Sequence, residues 1–211
     1  EPGESAERYG VEAIARIGFA GLSRDDADDR MREVVAAAKH PSSLATDDPA
    51  RAVIEAIAGT DGVVVAGGGN LASRWPVHIY ERVTLAAIAG ELGRPVVVTG
   101  QTFGPDLGAH DRTLLSRALQ NAHLVGVRET TSLALARELG VEARLGVDDA
   151  SFLGDRDPRE DQDADASAPR SGVLVSLSLS LGGAPRDETV ARIARLVDRS
   201  AELTGEPVAF H

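Results

Sequence analysis

The chain has 211 residues, a formal net charge of −11, 43% hydrophobic residues and no cysteine. The missing cysteines exclude disulfides, thiol catalysis, iron–sulfur clusters and thiolate zinc sites, and the acidic balance argues against nucleic acid as a partner. No apolar run approaches the roughly 18 to 20 residues of a membrane span, and no signal-peptide pattern begins the chain. We therefore expect a soluble cytoplasmic protein without stable membrane insertion, large enough for one α/β domain and part of another.

Capping residues and apolar positions at helical spacing predict the helices. Ser23 with Asp26 resembles a capping box at one helix start. Asp48 before Pro49 supplies an N-cap and a first-turn proline at another. The predicted helices cover 25–39, 49–59, 76–93, a segment beginning at Asp111, 131–139, and a segment from Asp187 to Gly205.

Valine-rich apolar segments alternate with these helices and predict strands. Connections of this length cannot be hairpins, so we expect parallel strands with right-handed crossovers and helices on both faces of the sheet. The predicted fold class is doubly wound α/β. The predicted strands begin at Val63, Val96, Leu124, Ala143, Gly172 and Pro207.

Residues 154–171 interrupt this alternation. They hold six acidic residues and two prolines with few apolar residues, which is typical of a solvated linker. We therefore expect an N-terminal Rossmann-like domain over 1–153, an acidic flexible linker over 154–171, and the incomplete start of a second Rossmann-like domain over 172–211. One strand–helix–strand unit leaves sheet faces uncovered, so we expect the sequence to be part of a longer protein.

Three successive strand ends carry groups that can bind an anion. The carboxyl ends of parallel strands meet at one edge of a sheet, where ligands of α/β proteins bind. Bare glycine backbone, amides and a guanidinium would face one crevice there, which we interpret as a site for an anionic small molecule. The candidate residues at these ends are Gly67, Gly68, Gly69, Asn70, Gly100, Gln101, Arg128 and Glu129.

The glycine run 67–69 matches neither the dinucleotide fingerprint nor the P-loop, because the required spacing and the Gly-Lys-Ser/Thr ending are missing. Glycine permits positive φ in a tight turn, and its missing Cβ lets a substrate approach the backbone amides. A ligand cradle and a purely structural turn both fit the sequence.

Arg128 directly follows an apolar strand and precedes a helix. Its guanidinium can bind a carboxylate or a phosphate, or it can form an ion pair with Glu129 or Asp149 that holds the loop. Glu129 also fits a helix cap. Asp149 can orient Arg128, bind a sugar hydroxyl, act as a base or only form the loop, and Gln101 can bind a ligand or join two loops.

Further candidates adjoin this edge. Arg74 can bind an anion or remain a solvated surface residue, and Trp75 can stack on a sugar or pack at the helix start. His211 follows a strand of the expected second domain and is a candidate for the cleft. Metal-ligand spacing, a nucleophile elbow and a Ser–His–Asp order are absent from the sequence, so no metal site and no hydrolase are predicted.

Four elements, in order, resemble motifs of the polysaccharide pyruvyl transferase family. They extend over about 59–153, and together they are far more specific than any one alone. The elements are Gly67-Gly-Gly-Asn-Leu71, Gly100-Gln-Thr-Phe-Gly-Pro105, Val127-Arg-Glu-x-x-Ser132 with Gly140-Val141, and Asp149-Ala-Ser-Phe-Leu153, in which alanine replaces the family's proline.

The resemblance implies two facing Rossmann-like domains in a glycosyltransferase-B-like architecture, with the active site between them. It implies transfer of a pyruvyl group from phosphoenolpyruvate to saccharide hydroxyls, which forms a ketal and releases phosphate without a cofactor. Such chemistry needs arginine for the donor's anionic groups, an acid for its methylene carbon and a base for the incoming hydroxyl. Arg128 fits the first role, and His211 is suggested as the acid.

The leading hypothesis is a pyruvyl-transferase-like enzyme that acts on a cell-envelope saccharide. Its expected partners are the small-molecule donor and a saccharide acceptor. A homo-oligomer is compatible with the sequence. A nucleotide-sugar glycosyltransferase of the same architecture and a non-catalytic saccharide-binding module are the alternatives.

Overall fold

A computed structural model describes residues 2–155, 172–175 and 185–210. The chain divides into two compact units, Glu1–Asp155 and Arg156–His211. The helices of the first unit are α1 (Pro2–Tyr9), α2 (Arg24–Ala36), α3 (Pro49–Ala58), α4 (Pro76–Glu91), α5 (Ala109–Gln120) and α6 (Thr130–Glu138), with 3₁₀ turns at Pro41–Ser43 and Asp149–Asp155. Its strands are β1 (Val63–Val65), β2 (Gly68–Leu71), β3 (Val96–Phe103), β4 (Leu124–Val127) and β5 (Arg144–Leu145).

A parallel sheet forms the centre of the first unit. β3 pairs with β4, and β4 pairs with β5, in parallel register. β1 pairs with the first half of β3 and β2 with the second half, where Gly68 lies opposite Gln101. β1 and β2 are therefore two halves of one strand, interrupted at Ala66 and Gly67. The predictions of an α/β fold and of parallel strands are confirmed.

The predicted glycine turn is instead mostly extended backbone. Gly68 and Gly69 lie in β2, and none of the three glycines at 67–69 has a positive φ. The interpretation of this run as a tight turn with positive φ, one of the two that the sequence leaves open, does not hold, because the chain continues from β1 into β2 alongside β3 and does not reverse there.

The connecting helices lie side by side in one layer. α4 packs against α2 and α5, and the Ser116 hydroxyl of α5 donates to the Leu139 carbonyl at the end of α6 at 2.7 Å. The strand order β1–β3–β4–β5 runs in one direction, so right-handed crossovers place these helices on the same face. On the opposite face Val64 is 66% exposed and Leu124 is 37% exposed. The expected second helical layer is not seen within residues 2–155.

Both helix starts identified from capping patterns are present. The Ser23 hydroxyl accepts from the Asp26 backbone N–H at 3.2 Å at the start of α2. Asp48 caps α3 by accepting from the Ala50 backbone N–H at 2.8 Å, and its carboxylate also receives two hydrogen bonds from Arg30 at 2.5 and 2.7 Å. Asp48 therefore links the start of α3 to α2.

Replacing Asp48 should destabilise the first unit measurably. We expect Asp48→Ala to lower the free energy of unfolding by about 2–3 kcal/mol, because it removes an N-cap and two hydrogen bonds of the largely buried Arg30, which then keeps only the exposed Glu33 as an acidic partner. Asp48→Asn keeps an N-cap acceptor and serves as the matched control, with a smaller loss. Urea denaturation measures both, and equal stability of the wild type and the alanine variant would contradict the role.

The same residue predicts a pH dependence. Hydrogen bonds from Arg30, followed by the bond from the Ala50 N–H, lower the pKa of Asp48 below its ordinary value of 3.8. This contribution to stability is present above pH 3.8 and is lost as the pH falls through the lower pKa of the folded state. The stability of Asp48→Asn should therefore decline less than that of the wild type below pH 4.

The second unit contains a parallel strand pair, β6 (Val173–Val175) and β7 (Val208–Phe210), connected through α7 (Arg186–Thr204). Pro185 stands at the N-cap of α7, so the helix begins slightly earlier than the predicted start at Asp187. Gly205 ends the helix with φ of +64°. Across the described segments of both units, every helix is too short or too polar to cross a bilayer.

Candidate functional site

The ends of β2, β3 and β4 lie side by side at one edge of the sheet. Gln101 lies opposite Gly68 on one side and opposite Val127 on the other. Arg128 comes next, and its backbone N–H donates to the Gln101 carbonyl at 3.2 Å. A Cβ on Gly69 would lie 3.1 Å from the Nη2 atom of Arg128. The structure therefore brings the glycine run and the guanidinium together.

Arg128 is held from two sides. Its Nε donates to the Thr102 hydroxyl at 2.7 Å and lies 3.4 Å from the Glu129 carboxylate, while its Nη1 donates to Asp148. Its side chain remains 28% exposed, and Nη2 faces Gly69. One interpretation of Arg128 required an ion pair with Glu129, and this ion pair is present. The Nη2 atom is the part of the guanidinium that an incoming anion can contact.

Asp148, not Asp149, is the second acidic partner of Arg128. The Asp149 carboxylate instead accepts from the Gly67 backbone N–H and from the Thr99 hydroxyl, both at 2.6 Å. Asp149 therefore holds the junction of β1 and β2 against β3. Of the alternatives that the sequence leaves open for Asp149, these contacts fit the structural one, and Arg128 has Asp148 as its partner instead. The side chain of Asp148 is 42% exposed beside the guanidinium.

The local charge at this edge is negative. The pKa of Asp148 is lowered, first by the hydrogen bond from the Ala150 backbone N–H at 2.9 Å and then by Arg128, so Asp148 is ionised at neutral pH. With Glu129 on its other side, Arg128 is more than neutralised by its own neighbours. An anionic ligand at Nη2 therefore requires positive charge in addition to that of Arg128.

Gly67 and Gly100 are required by the packing of Asp149. A Cβ on Gly67 would lie 2.9 Å from the Gly100 carbonyl and 3.0 Å from Asp149 Oδ2. Gly100 has φ of +50°, and a Cβ there would lie 2.5 Å from Asp149 Oδ1. At these two positions the missing Cβ makes room for a side chain of the protein itself, so both glycines have a role in packing.

Gln101 is fully buried, with 0% exposure. Its Nε2 donates to the Ala66 carbonyl, so Gln101 does join two strand ends. Its Oε1 has no hydrogen-bond partner among the described residues, and the same holds for Asn70 Oδ1. Both oxygen atoms are fully shielded from solvent.

Residues 15–208 match the family model of the polysaccharide pyruvyl transferases. The chain belongs to the polysaccharide pyruvyl transferase family. No curated protein and no solved structure gives a significant match. The match covers most of the chain. The protein therefore belongs to a family of transferases, and we interpret the site as that of an enzyme.

Two of the elements that resemble motifs of this transferase family are bonded to each other. The Phe103 backbone N–H donates to the Ser132 hydroxyl at 2.8 Å, and that hydroxyl donates to Glu129. The other carboxylate oxygen of Glu129 accepts from Thr102 at 3.1 Å. Glu129 stands at the N-cap of α6 without bonding a helix N–H, so it acts as a partner of Arg128 and of these hydroxyls, not as a cap.

Other predicted site residues of this family member lie apart from the cluster or cannot be placed. The Arg74 guanidinium lies 5.7 Å from the ring centroid of Trp75, and both side chains are exposed. His211 lies outside the described residues. Among the residues that the structure does describe, no group of three or more His, Cys, Asp and Glu side chains is arranged to hold a metal ion.

The sequence patterns did not identify Arg82 as a residue of this edge. It lies on α4 with its Nη2 near Gly68, and its Nη1 donates to the His78 carbonyl at 3.2 Å. Burial and the nearby Arg16 lower the pKa of Arg82, with partial compensation by Glu81. Its position within an otherwise apolar stripe of α4 is the one sequence signal that could have identified it.

Proposed function

We propose that the protein transfers a pyruvyl group from phosphoenolpyruvate to two hydroxyls of a cell-envelope saccharide, forming a ketal. The observation that carries the proposal is the Nη2 atom of Arg128 beside Gly69, at the carboxyl edge of a parallel sheet in a member of this family. Arginine binds carboxylates and phosphates by paired hydrogen bonds, and phosphoenolpyruvate carries both groups.

The proposed reaction makes two C–O bonds and breaks one. The methylene carbon of phosphoenolpyruvate takes a proton and becomes a methyl group, while two acceptor hydroxyls bond to its C2 carbon and lose their protons. The C2–O bond to phosphate breaks, so inorganic phosphate leaves with the second proton. Positioned donors and acceptors of protons lower the barrier of such steps.

The proposal assigns roles to three residues. Arg128 orients the donor through its Nη2 edge. Asp148 is the exposed carboxylate beside this guanidinium. We assign to it the acceptance of a proton from an acceptor hydroxyl, because the carboxylate of Asp149 is already hydrogen-bonded to Gly67 and Thr99. His211 stays a proposal for the acid that protonates the methylene carbon.

The architecture and location belong to the same proposal. We infer a two-domain, glycosyltransferase-B-like enzyme in which the two units are Rossmann-like, with phosphoenolpyruvate as a donor substrate and no cofactor. A cytoplasmic site of action follows from the need for phosphoenolpyruvate, a metabolite of that compartment.

Incubation of the protein with phosphoenolpyruvate and a panel of envelope saccharides tests the reaction. We expect phosphate release that depends on the saccharide, together with an acid-labile product that contains pyruvate. Release of phosphate without an acceptor would indicate hydrolysis only, and silence over the whole panel would contradict the proposal. Thermal stabilisation by nucleotide-sugars but not by phosphoenolpyruvate would favour a glycosyltransferase instead.

A further inference from the structure

A groove runs along the helical layer of the first unit. It has a volume of about 860 Å³ and is lined by residues of α2, α4 and α5. Apolar side chains form most of its lining, and solvent reaches them, because Met31, Val35, Ala86 and Ala118 are only half-buried. Binding sites of proteins commonly have volumes of about 300 to 1,000 Å³, so the groove is large enough to hold a ligand.

Hydrogen bonds fix the arrangement of the three helices. In the first half of α4, the Tyr80 hydroxyl donates to Asp28 of α2 at 2.7 Å and lies 3.1 Å from Nε2 of His110 at the start of α5. Just after the end of α2, Lys39 Nζ donates to Glu91, the last residue of α4, at 2.9 Å. The three helices therefore run in the same direction, and the groove lies over their carboxyl-terminal halves.

The groove and the candidate active site lie toward opposite edges of the sheet. α4 and α5 each connect two parallel strands, so they run opposite to the strands and end toward the amino-terminal edge of the sheet. Arg128 follows the carboxyl end of β4, which is the other edge. A molecule bound in the groove therefore leaves the surroundings of Arg128 open.

The border of the groove is positively charged. Arg32 and Lys39 line it on the side of α2 and Arg117 on the side of α5, whereas Glu91 is its one carboxylate. Glu91 pairs with Lys39, and Arg32 pairs with the exposed Asp29, which does not line the groove. Arg117 forms no ion pair within the described residues. This border is thus opposite in sign to the whole chain, whose formal net charge is −11.

Helix dipoles account for only part of this charge. A cation near the carboxyl end of a helix interacts favourably with the helix dipole, and Arg117 lies in the last turn of α5. Arg137 has the same position in α6 without lining the groove. Arg32, however, lies before the last turn of α2. Its place at the border is not explained by the dipole.

Shape and charge together fit an amphipathic helix with acidic sides. The lining residues of α4 extend from Val83 to Glu91, about 12 Å or a little more than two helical turns. A bound helix covers such a floor with apolar residues at i, i+3, i+4 and i+7. The cations lie on both sides of the floor, so one anionic head group cannot reach all of them. Two copies of this chain that met groove to groove would place like charges opposite each other.

We propose that this groove binds an acidic amphipathic helix of a partner protein. Apolar side chains of that helix cover the floor between α2 and α5, and carboxylates on both sides of its apolar stripe pair with Arg32, Lys39 and Arg117. The proposal does not depend on pyruvyl transfer, because it uses no residue of the candidate active site.

A synthetic peptide tests the proposal on the full chain. The probe is a capped, fluorescein-labelled helical peptide of about 16 residues, with leucine at i, i+3, i+4 and i+7 and glutamate on both sides of that stripe. Fluorescence anisotropy at low ionic strength measures binding. We expect a micromolar dissociation constant, and at least roughly tenfold weaker binding of the same peptide with lysine in place of glutamate.

Arg117→Glu tests the charge of the border. We expect it to weaken binding of the glutamate peptide at least roughly tenfold. Arg137→Glu is the matched control, because it changes the net charge equally and also replaces an exposed arginine in the last turn of a helix. The control should bind the peptide within about twofold of the wild type.

Gly90→Phe tests the space of the groove. A Cβ on Gly90 meets nothing within 4 Å, so the ring can occupy the groove without displacing other atoms. We expect at least roughly tenfold weaker binding. Gly3→Phe is the matched control, because a Cβ on Gly3 in α1 also meets nothing within 4 Å and Gly3 does not line the groove. Circular dichroism verifies that each variant is folded.

Four results would overturn the proposal. They are no binding of the glutamate peptide at about 100 µM protein, equal binding of the lysine peptide, wild-type affinity in both Arg117→Glu and Gly90→Phe, or a dimer in sedimentation equilibrium that Gly90→Phe dissociates. The last result would make the groove an interface between copies of this chain. None of these measurements depends on phosphoenolpyruvate, so failure of the groove and failure of the proposed function are distinguishable.

Discussion

Gly100→Ala is expected to lower the free energy of unfolding by about 3–5 kcal/mol. Gly100 has φ of +50°, which strains any residue with a Cβ, and that Cβ would lie 2.5 Å from Asp149 Oδ1 and 2.9 Å from the Asp149 backbone nitrogen. Relief of the contact requires movement of backbone as well as of the carboxylate that holds Gly67. Urea denaturation followed by circular dichroism measures the loss.

The other glycines of this edge supply graded controls. Gly67→Ala should also be costly, at about 2–4 kcal/mol, because its Cβ meets the Gly100 carbonyl at 2.9 Å. Gly69→Ala contacts only the far end of Arg128, and Gly68→Ala makes ordinary contacts, so each should stay within about 1 kcal/mol of the wild type. Equal effects at all four positions would show that Asp149 does not occupy the space beside Gly67 and Gly100.

Arg128→Met is expected to weaken phosphoenolpyruvate binding by about 10- to 100-fold, the range of one or two charge-assisted hydrogen bonds. The variant keeps the length of the side chain but loses the Nη2 edge beside Gly69. Arg128→Lys is the matched control and should retain part of the affinity, because it keeps the charge without the fork. Isothermal titration at low ionic strength provides the measurement.

Asp148→Asn should have the opposite effect on donor binding. The amide can still accept from Arg128 Nη1, but the negative charge that competes with an anionic ligand is gone. We expect phosphoenolpyruvate to bind about 3- to 10-fold more tightly, by the removal of one nearby like charge. Turnover should nevertheless fall if Asp148 accepts the hydroxyl proton. Unchanged donor affinity in both Arg128→Met and Asp148→Asn would remove this edge from the donor site.

Much of the fold follows from local patterns. Ser23 and Asp48 begin helices because their side chains satisfy free backbone N–H groups of the first turn, which depends on neighbours in sequence. The long helical connections between valine-rich segments require parallel strands. The meeting of Gly69 and Arg128 then follows from strand order, since neighbouring parallel strands end at the same edge.

The sequence predictions fail where a long-range contact decides between partners that are equally compatible with the sequence. Asp148 and Asp149 are adjacent and chemically identical, and only the turn of the backbone decides that one faces Arg128 and the other Gly67. Arg82 lies near Gln101 because α4 packs across the sheet at the level of Gly68. No pattern within α4 encodes that distance.

The sequence by itself determined the alternation of helices and strands, the edge at which candidate ligand groups collect, and the resemblance that the family match bears out. Only the tertiary structure decided what each group at that edge contacts. Helix caps and strand periodicity depend on residues a few positions apart, whereas the partners of Asp149 and Gln101 lie tens of residues away in sequence. Gly67 and Gly100 therefore serve packing within the protein. The exposed Gly69 lies beside Arg128, where we propose that the donor binds.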